Sequence, residues 1–241
     1  MDYLYDYTFE GLLTCLYLNF NKKETSGIYP KILYQTSLIN NFEDIQTDIE
    51  LSNKMYANIK KTLYQECLKN IYNCFLSDHN LKEKYILDYL NLGFNMGIKF
   101  TNYHTHKAVF PLLDIVRKVK MECHRYLGYV RFKSIGTVLY SAIHPQYNIL
   151  PLISYHFADR LRSQQFIIHD KNRNTAIISN NGDWIISPFN KIESVELDNK
   201  DIFESLWKKY FETVGIENRY NPKLQQNFVP LKYRKDLIEF K

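Results

Sequence analysis

Apolar residues recur at helical spacing through most of the first half of the chain. The first stripe consists of Phe9, Leu12, Leu13, Leu16, Tyr17 and Phe20. Spacings of three and four residues place these side chains on one face of an amphipathic helix, which Asp6 or Thr8 can cap at its N-terminus. A short strand is predicted before this helix, at Tyr3–Tyr5, and a second one near Ile32–Gln35.

The helical pattern continues from about Asp48 to Phe100, with breaks near Ser77–Asn80 and Gly93–Gly97. Pro111 then occupies a position that favours the start of a further helix. The apolar stripe of that helix ends at Cys123.

After Arg125 the apolar pattern becomes that of strands. The predicted strands are Tyr129–Lys133, Thr137–Ile143, Phe166–His169, Thr175–Ser179 and Trp184–Ile186. Helices are predicted from Ile149 to Leu161 and from Phe203 to Val214. We therefore expect an α+β fold, in which a helix-rich half, residues 1–126, packs on an antiparallel sheet formed mainly by residues 127–241.

The composition is that of a folded globular protein, because 45% of the 241 residues are hydrophobic and 24% are charged. No linker rich in Gly, Ser or Pro divides the sequence, which favours a single domain over residues 1–241. The four cysteines form no CxxC pair, so we expect reduced thiols, no metal site and no cofactor. No segment has the pattern of a signal peptide or a membrane span, which predicts a cytoplasmic protein.

The net charge of +5 is unevenly distributed along the sequence. Residues 219–235 contain five basic side chains and no acidic one, and residues 116–133 contain six basic side chains and one acidic one. Arg117, Lys120 and His124 follow one another at helical spacing and form a basic ridge that can run along a phosphate backbone. A solvated helix face with no binding role is the alternative.

The predicted helix Ile149–Leu161 carries two polar residues close to its apolar stripe. His156 and Arg160 are four residues apart and lie near the direction set by Ile149, Ile153 and Phe157. A buried guanidinium is costly unless it is paired, so these two side chains should either line a cleft or find partners within the core.

Two further histidines, His144 and His169, end predicted strands, where an imidazole can reach a cleft. Asp170 can orient such a ring, and a structural role is the alternative for both histidines. His104 and His106 are too closely spaced for a helical metal pair. The short motifs of common zinc, nucleotide-binding and hydrolase sites are missing.

Several long blocks of the sequence resemble a bacterial family. They are YDYTFEGLLT (Tyr5–Thr14), HRYLGYVRF (His124–Phe132), HFADR (His156–Arg160), IHD (Ile168–Asp170), LWKKYF (Leu206–Phe211) and NPKLQQNFVPLKYRKDLIEF (Asn221–Phe240). The family is a domain of unknown function labelled as a probable DNA metabolism protein. Its members are commonly encoded beside a radical-SAM protein related to DNA photoproduct repair. Many are fused to, or neighbours of, a uracil-DNA-glycosylase-like domain.

The resemblance spans the whole chain and is weakest from about Lys22 to Lys107. It implies a role in DNA metabolism, but no catalytic residue, because the family has no established activity. The chain also departs from the family pattern, since Tyr7 stands where glycine is typical and Arg234 where tryptophan is typical.

Residues and resemblance together predict a DNA metabolism or repair component that binds nucleic acid through a basic cleft and works with radical-SAM and glycosylase-like partners. The candidate nucleic-acid-binding residues are Arg117, Lys120, Arg125, Arg131, Arg162, Arg219, Lys223 and Arg234. One alternative is an enzyme that performs acid–base chemistry on a phosphate-containing substrate, with His124, His156 and Arg160 as candidate catalytic residues. Another is an adaptor that docks the partner proteins.

Overall fold

A computed structural model describes residues 1–22, 25–35, 41–189, 206–207, 209–210, 213–214 and 221–240. The chain forms two compact units, an N-terminal unit, Met1–Lys120, and a C-terminal unit, Met121–Lys241. That the two units make up a single domain stays a prediction. Within the described ranges, none of the helices has the length and apolar content needed to cross a bilayer.

The N-terminal unit combines a small parallel sheet with long helices. Its elements are β1 (Asp2–Tyr5), α1 (Phe9–Asn21), β2 (Gly27–Pro30), β3 (Phe42–Asp44), α2 (Ile49–Phe75), α3 (Lys82–Met96) and the first part of α4 (Phe110–Tyr129). β1 lies between β2 and β3, and both pairings are parallel. The core contains the predicted stripe residues Leu12, Leu13 and Leu16 of α1, and α2 contributes Met55 and Ile59.

The predicted break near Ser77–Asn80 is confirmed, because it separates α2 from α3. The strand predicted near Ile32–Gln35 is wrong. The strand β2 ends at Pro30, which pairs with Tyr5, the last residue of β1. With no further partner on β1, the chain turns into a 3₁₀ helix, Lys31–Leu33.

Thr8 caps α1, as the sequence indicates. Its Oγ1 accepts a hydrogen bond from the backbone N–H of Gly11 at 2.9 Å. Asp6 in turn accepts hydrogen bonds from the backbone N–H and the hydroxyl of Thr8, at 3.0 and 2.6 Å, and from the hydroxyl of Thr47 at 2.8 Å. These bonds satisfy groups that would otherwise lack partners at the start of the helix, and they lower the pKa of the Asp6 carboxyl.

The C-terminal unit is built around a five-stranded sheet. The elements described after α4 are β4 (Lys133–Ile135), β5 (Val138–Ile143), α5 (Leu150–Arg160), β6 (Gln165–Asp170), β7 (Thr175–Asn180), β8 (Asp183–Pro188), α6 (Pro222–Phe228), α7 (Leu231–Arg234) and a 3₁₀ turn (Ile238–Phe240). The strand order is β4-β5-β6-β7-β8. Ile143, Phe166 and Ile168 of the sheet form a core with Ile153 and Phe157 of α5.

The expected α+β fold is confirmed, with two corrections to the sheet. The strands β5 and β6 are parallel, because α5 connects them as a crossover, whereas the other neighbouring pairs are antiparallel. The strand predicted at Tyr129–Lys133 begins only at Lys133, since α4 continues to Tyr129. The predicted helix from Phe203 to Val214 extends over residues outside the described ranges.

Close packing around Gly11 predicts that a larger residue at this position destabilises the protein. A Cβ added there would lie 2.3 Å from Asp6 Oδ1 and 2.8 Å from Thr47 Oγ1, so Gly11→Ala must break the capping bonds or move the helix. We expect a loss of about 1–3 kcal/mol in the free energy of unfolding, measured by chemical denaturation.

Gly128→Ala is the matched control, because a Cβ at Gly128 meets no atom within 4 Å and alanine favours a helix. Equal stability of the two variants would contradict this account of Gly11.

Candidate functional site

The buried carboxylate of Asp236 is the central acceptor of the C-terminal unit. It accepts hydrogen bonds from the hydroxyl of Tyr126 at 2.8 Å and from the backbone N–H of His144 at 3.1 Å. The Nδ1 atom of His144 lies 2.6 Å from its other oxygen. One carboxylate thus joins α4, the end of β5 and the C-terminal segment.

A second buried carboxylate, that of Glu122 on α4, holds the same region. It accepts hydrogen bonds from the hydroxyl of Tyr233 at 3.1 Å and from the backbone N–H of Tyr147 at 2.8 Å. The ammonium of Lys232 lies 3.5 Å from it and donates to Gln146 Oε1 at 3.3 Å.

The segment His144–Tyr147, which we call the His144 loop, is also fixed from the side of β6. Arg173 donates to the backbone oxygens of Pro145 (3.2 Å) and Gln146, and to the carboxylate of Asp170 at 2.9 Å. Asn172 donates its side-chain N–H to Pro145 O at 2.8 Å. Backbone contacts on two sides therefore hold this short loop in one conformation.

Around the His144 loop the acidic side chains are buried and the basic side chains are more exposed. The carboxylates of Glu122, Asp170 and Asp236 are at most 2% exposed, whereas the side chains of Lys232 and Arg173 are 51% and 26% exposed. The unit therefore directs negative charge inward and positive charge outward at this place.

Arg125 is a third cation beside Lys232 and Arg173. Its guanidinium lies 5.4 Å from the centroid of the Tyr233 ring, and the ammonium of Lys232 lies 4.8 Å from the same centroid. We call Arg125, Arg173 and Lys232 the cationic rim of the His144 loop. Ring contacts of this kind stabilise each cation by about 0.5–1 kcal/mol at exposed sites.

His144 has the geometry of an oriented proton acceptor. Its ring is 32% exposed, and the carboxylate on its Nδ1 is 1% exposed. A carboxylate on Nδ1 fixes the proton on that nitrogen in the neutral ring, so Nε2 keeps its lone pair. An imidazole held in this way can take a proton from a bound group.

His169 lies buried on the neighbouring strand, β6. Its Nδ1 is 2.9 Å from the hydroxyl of Tyr140, and its ring packs edge-on against Phe189. Its Nε2 is buried and has no hydrogen-bond partner among the described residues. Burial lowers the pKa of His169 to about 4, and the charges of Lys171 and His144 add to this effect.

The structure places His156 and Arg160 at exposed positions, contrary to their expected location beside the buried stripe. The buried face of α5 consists of Leu150, Ile153, Ser154, Phe157 and Ala158. The small residues Ser154 and Ala158 shift the centre of this face, so at about 100° per residue His156 points roughly 130° away from it and Arg160 roughly 90°. His124 is exposed on α4.

Carboxylates pair with several of the predicted nucleic-acid-binding residues. Lys120 lies 3.3 Å from Glu66 at the surface, whereas Arg131 lies 2.9 Å from Glu239, whose side chain is only 7% exposed. Two further pairs, Arg117 with Asp114 at 2.8 Å and Arg162 with Asp159 at 3.5 Å, are local helical or turn contacts. The pairs other than Arg131–Glu239 are exposed and contribute about 0–1 kcal/mol each, but every one of the four reduces the outward positive charge.

The remaining predicted residues belong to the C-terminal segment. Lys223 is exposed on α6. Arg234 donates to Val229 O at 3.2 Å, and its guanidinium lies 4.5 Å from the centroid of the Phe240 ring. Arg219 lies outside the described residues.

Sequence reasoning missed the residues that organise the site, namely Asp236, Glu122, Tyr126 and Arg173. One signal was available for Glu122, because it is the single acid among the six bases of residues 116–133. No local pattern indicates that Asp236 meets His144, since 92 residues separate them. Within the described ranges, no group of three or more His, Cys, Asp or Glu is arranged to hold a metal ion.

The lowered pKa of His169 predicts how the stability of the protein depends on pH. The folded value of about 4 lies below the ordinary value of 6.5, so between these values the unfolded chain binds the proton more readily. Stability should therefore fall as the pH decreases from about 6.5 to 4. We expect His169→Phe to remove this part of the acid sensitivity of the melting temperature.

His124→Gln is the control for this experiment, because His124 is exposed and its replacement should leave the pH dependence unchanged. A His169→Phe protein whose melting temperature falls as steeply with pH as that of the wild type would show that a neutral buried His169 does not contribute.

Comparison with known proteins identifies a family but no established activity. A family model described as a domain of unknown function, DUF4130, matches residues 80–239. No curated protein and no solved structure matches the chain. The match covers α3, α4 and the described part of the C-terminal unit as far as Glu239, and so includes Glu122, His144, Arg173 and Asp236. The chain therefore belongs to the DUF4130 family.

Proposed function

We propose that this chain is a cytoplasmic, nucleic-acid-binding component of bacterial DNA metabolism or repair, and that the cationic rim of the His144 loop contacts the phosphate backbone. The observation that carries the proposal is the orientation of charge, in which Glu122, Asp170 and Asp236 are buried while Lys232 and Arg173 reach the surface. A polyanion approaching this surface meets the cations first.

The buried acids also hold the cations in position before binding. Lys232 is held by Glu122 and Gln146, and Arg173 is held by Asp170 and two backbone oxygens. Holding a long side chain in one geometry costs free energy at an interface, about 0.5–1.5 kcal/mol for each side chain. A rim that is already ordered avoids much of this cost.

The DNA context and the partners rest on the sequence resemblance. Families of this pattern are labelled as probable DNA metabolism proteins and are encoded beside radical-SAM and uracil-DNA-glycosylase-like proteins. We propose that this chain delivers or holds DNA for such partners. Failure of a tagged chain to retain either protein after co-expression would contradict this part of the proposal.

Proton transfer by His144 is a second candidate function, favoured by the 2.6 Å contact between its Nδ1 and the buried Asp236 carboxylate. In this role Nε2 would take a proton from a group on a phosphate-containing substrate bound at the cationic rim. This enzyme hypothesis replaces the predicted trio His124, His156 and Arg160 with residues that the fold brings together. It is tested by looking for altered DNA products with the wild-type protein and their loss in His144→Ala.

The binding proposal predicts a salt dependence that changes with single cations. Affinity for single-stranded or damaged DNA should fall as salt rises, because phosphate contacts release counterions. Replacing Lys232 or Arg125 by glutamine should weaken binding severalfold and reduce the slope of log K against log salt by about 1 for each phosphate that is no longer neutralised. Fluorescence anisotropy over a range of salt concentrations measures both quantities.

Lys60→Gln, at an exposed position of α2, is the matched control and should leave the slope unchanged. Binding that is independent of salt, or equal slopes for Lys232→Gln and Lys60→Gln, would contradict the proposed contact surface.

A further inference from the structure

The N-terminal unit contains a cavity of about 310 Å³. It is lined by residues that follow or end two parallel strands, Tyr7 after β1 and Tyr29 in β2, and by His79 and Lys82 at the start of α3. Ligands of open parallel sheets bind at the carboxyl ends of the strands. The volume lies at the lower end of the range for small-molecule sites, about 300–1,000 Å³.

The floor of the cavity carries a buried positive charge. Lys82 is 4% exposed and donates hydrogen bonds to two backbone oxygens, that of Phe75 (2.8 Å), the last residue of α2, and that of Ser77 (2.9 Å), which follows the helix. Its third donor points to the hydroxyl of Tyr7 at 3.2 Å. Within the part of the chain that the structure describes, no carboxylate forms an ion pair with Lys82.

Glu83, the neighbouring acid, also lines the cavity and has a buried partner of its own. The carboxyl group of Glu83 accepts a hydrogen bond from Tyr5 at 2.7 Å, and burial raises the pKa of this carboxyl. A buried ammonium without an ionic partner is costly, so an anion in the cavity would stabilise it.

Tyr7 supplies a donor to the cavity. An ammonium group can only donate, so the Tyr7 oxygen accepts from Lys82 and its own proton remains for another acceptor. The backbone of Tyr7 has a φ of 66°, a left-handed conformation that is unfavourable for a residue other than glycine. The chain therefore maintains a strained residue at this position, with its ring 4.6 Å from the ammonium.

His79 supplies a second donor. Its Nδ1 accepts the backbone N–H of Leu81 at 3.1 Å, which leaves the proton of the neutral ring on Nε2. The apolar part of the lining consists of Tyr29, Pro30 and Leu33.

We propose that this cavity binds a small phosphate monoester that carries a flat or apolar body. The three terminal oxygens of such a group accept from Tyr7 and His79 and compensate the charge of Lys82, while the body contacts Tyr29 and Leu33. The inference concerns the N-terminal unit alone and does not depend on DNA binding by the C-terminal unit.

Calorimetric titration with AMP tests the site, with adenosine as the neutral analogue of the same body. AMP should bind and adenosine should bind at least about tenfold more weakly, because adenosine lacks the charged acceptor and hydrogen bonds to a charged group are among the stronger ones. For the same reason Tyr7→Phe, which keeps the ring, should weaken AMP binding about tenfold. The phosphate monoester can belong to a free nucleotide or to the 5′ end of a nucleic-acid strand. Titration with a 5′-phosphorylated dinucleotide, compared with AMP, distinguishes these two ligands, and tighter binding of either one supports the site.

Asp78 is an exposed residue that lines the cavity. Its replacement by a neutral residue tests whether the ligand is negatively charged. Asp78→Asn should strengthen AMP binding about threefold, because it removes a repulsive charge, whereas Asp88→Asn on α3 should have no effect. Absence of AMP binding at about 10 mM, equal binding of adenosine, or weaker binding by Asp78→Asn would overturn the proposal.

Discussion

Two buried carboxylates, Glu122 and Asp236, organise the candidate chemistry of the C-terminal unit. Each accepts a tyrosine hydroxyl and a backbone N–H of the His144 loop. Their partners are 25 to 111 residues away in sequence, so these bonds connect α4, the end of β5 and the C-terminal segment. A buried acid that loses its donors is costly, about 1–3 kcal/mol for each unsatisfied group. The loop, the imidazole and the last residues of the chain therefore depend on one another.

This arrangement explains why only some of the basic residues are proposed to contact phosphate. Arg117 and Arg162 meet acids three residues away at the surface, where ion pairs are screened by water and contribute little. Lys232 and Arg173 meet acids that are buried, and their own side chains stay exposed. What distinguishes Lys232 and Arg173 from Arg117 and Arg162 is the burial of their counter-charges, a property that Arg131 shares through Glu239 and that depends on the fold rather than on the count of basic residues.

Local pattern predicted most of the elements, because helix and strand periods report which residues face a core. The stripe of α1, its cap at Thr8 and the strand β7, predicted at Thr175–Ser179, are examples. The pattern failed for His156 and Arg160, since the small residues Ser154 and Ala158 complete the buried face of α5. The local pattern also could not predict the contact of Asp236 with His144, because a contact between residues distant in sequence depends on how the chain returns to the sheet.

The most direct test of this account is the effect of Glu122→Gln on DNA affinity, with the folded fraction checked by circular dichroism. Removing a negative charge beside a phosphate-binding surface should strengthen binding on grounds of charge alone. Our account predicts weaker binding, because Lys232 and the backbone of Tyr147 lose the carboxylate that positions them. Asp159→Asn, which removes an exposed acid from the same unit, should leave binding unchanged or strengthen it. Tighter DNA binding by a folded Glu122→Gln protein would contradict the account.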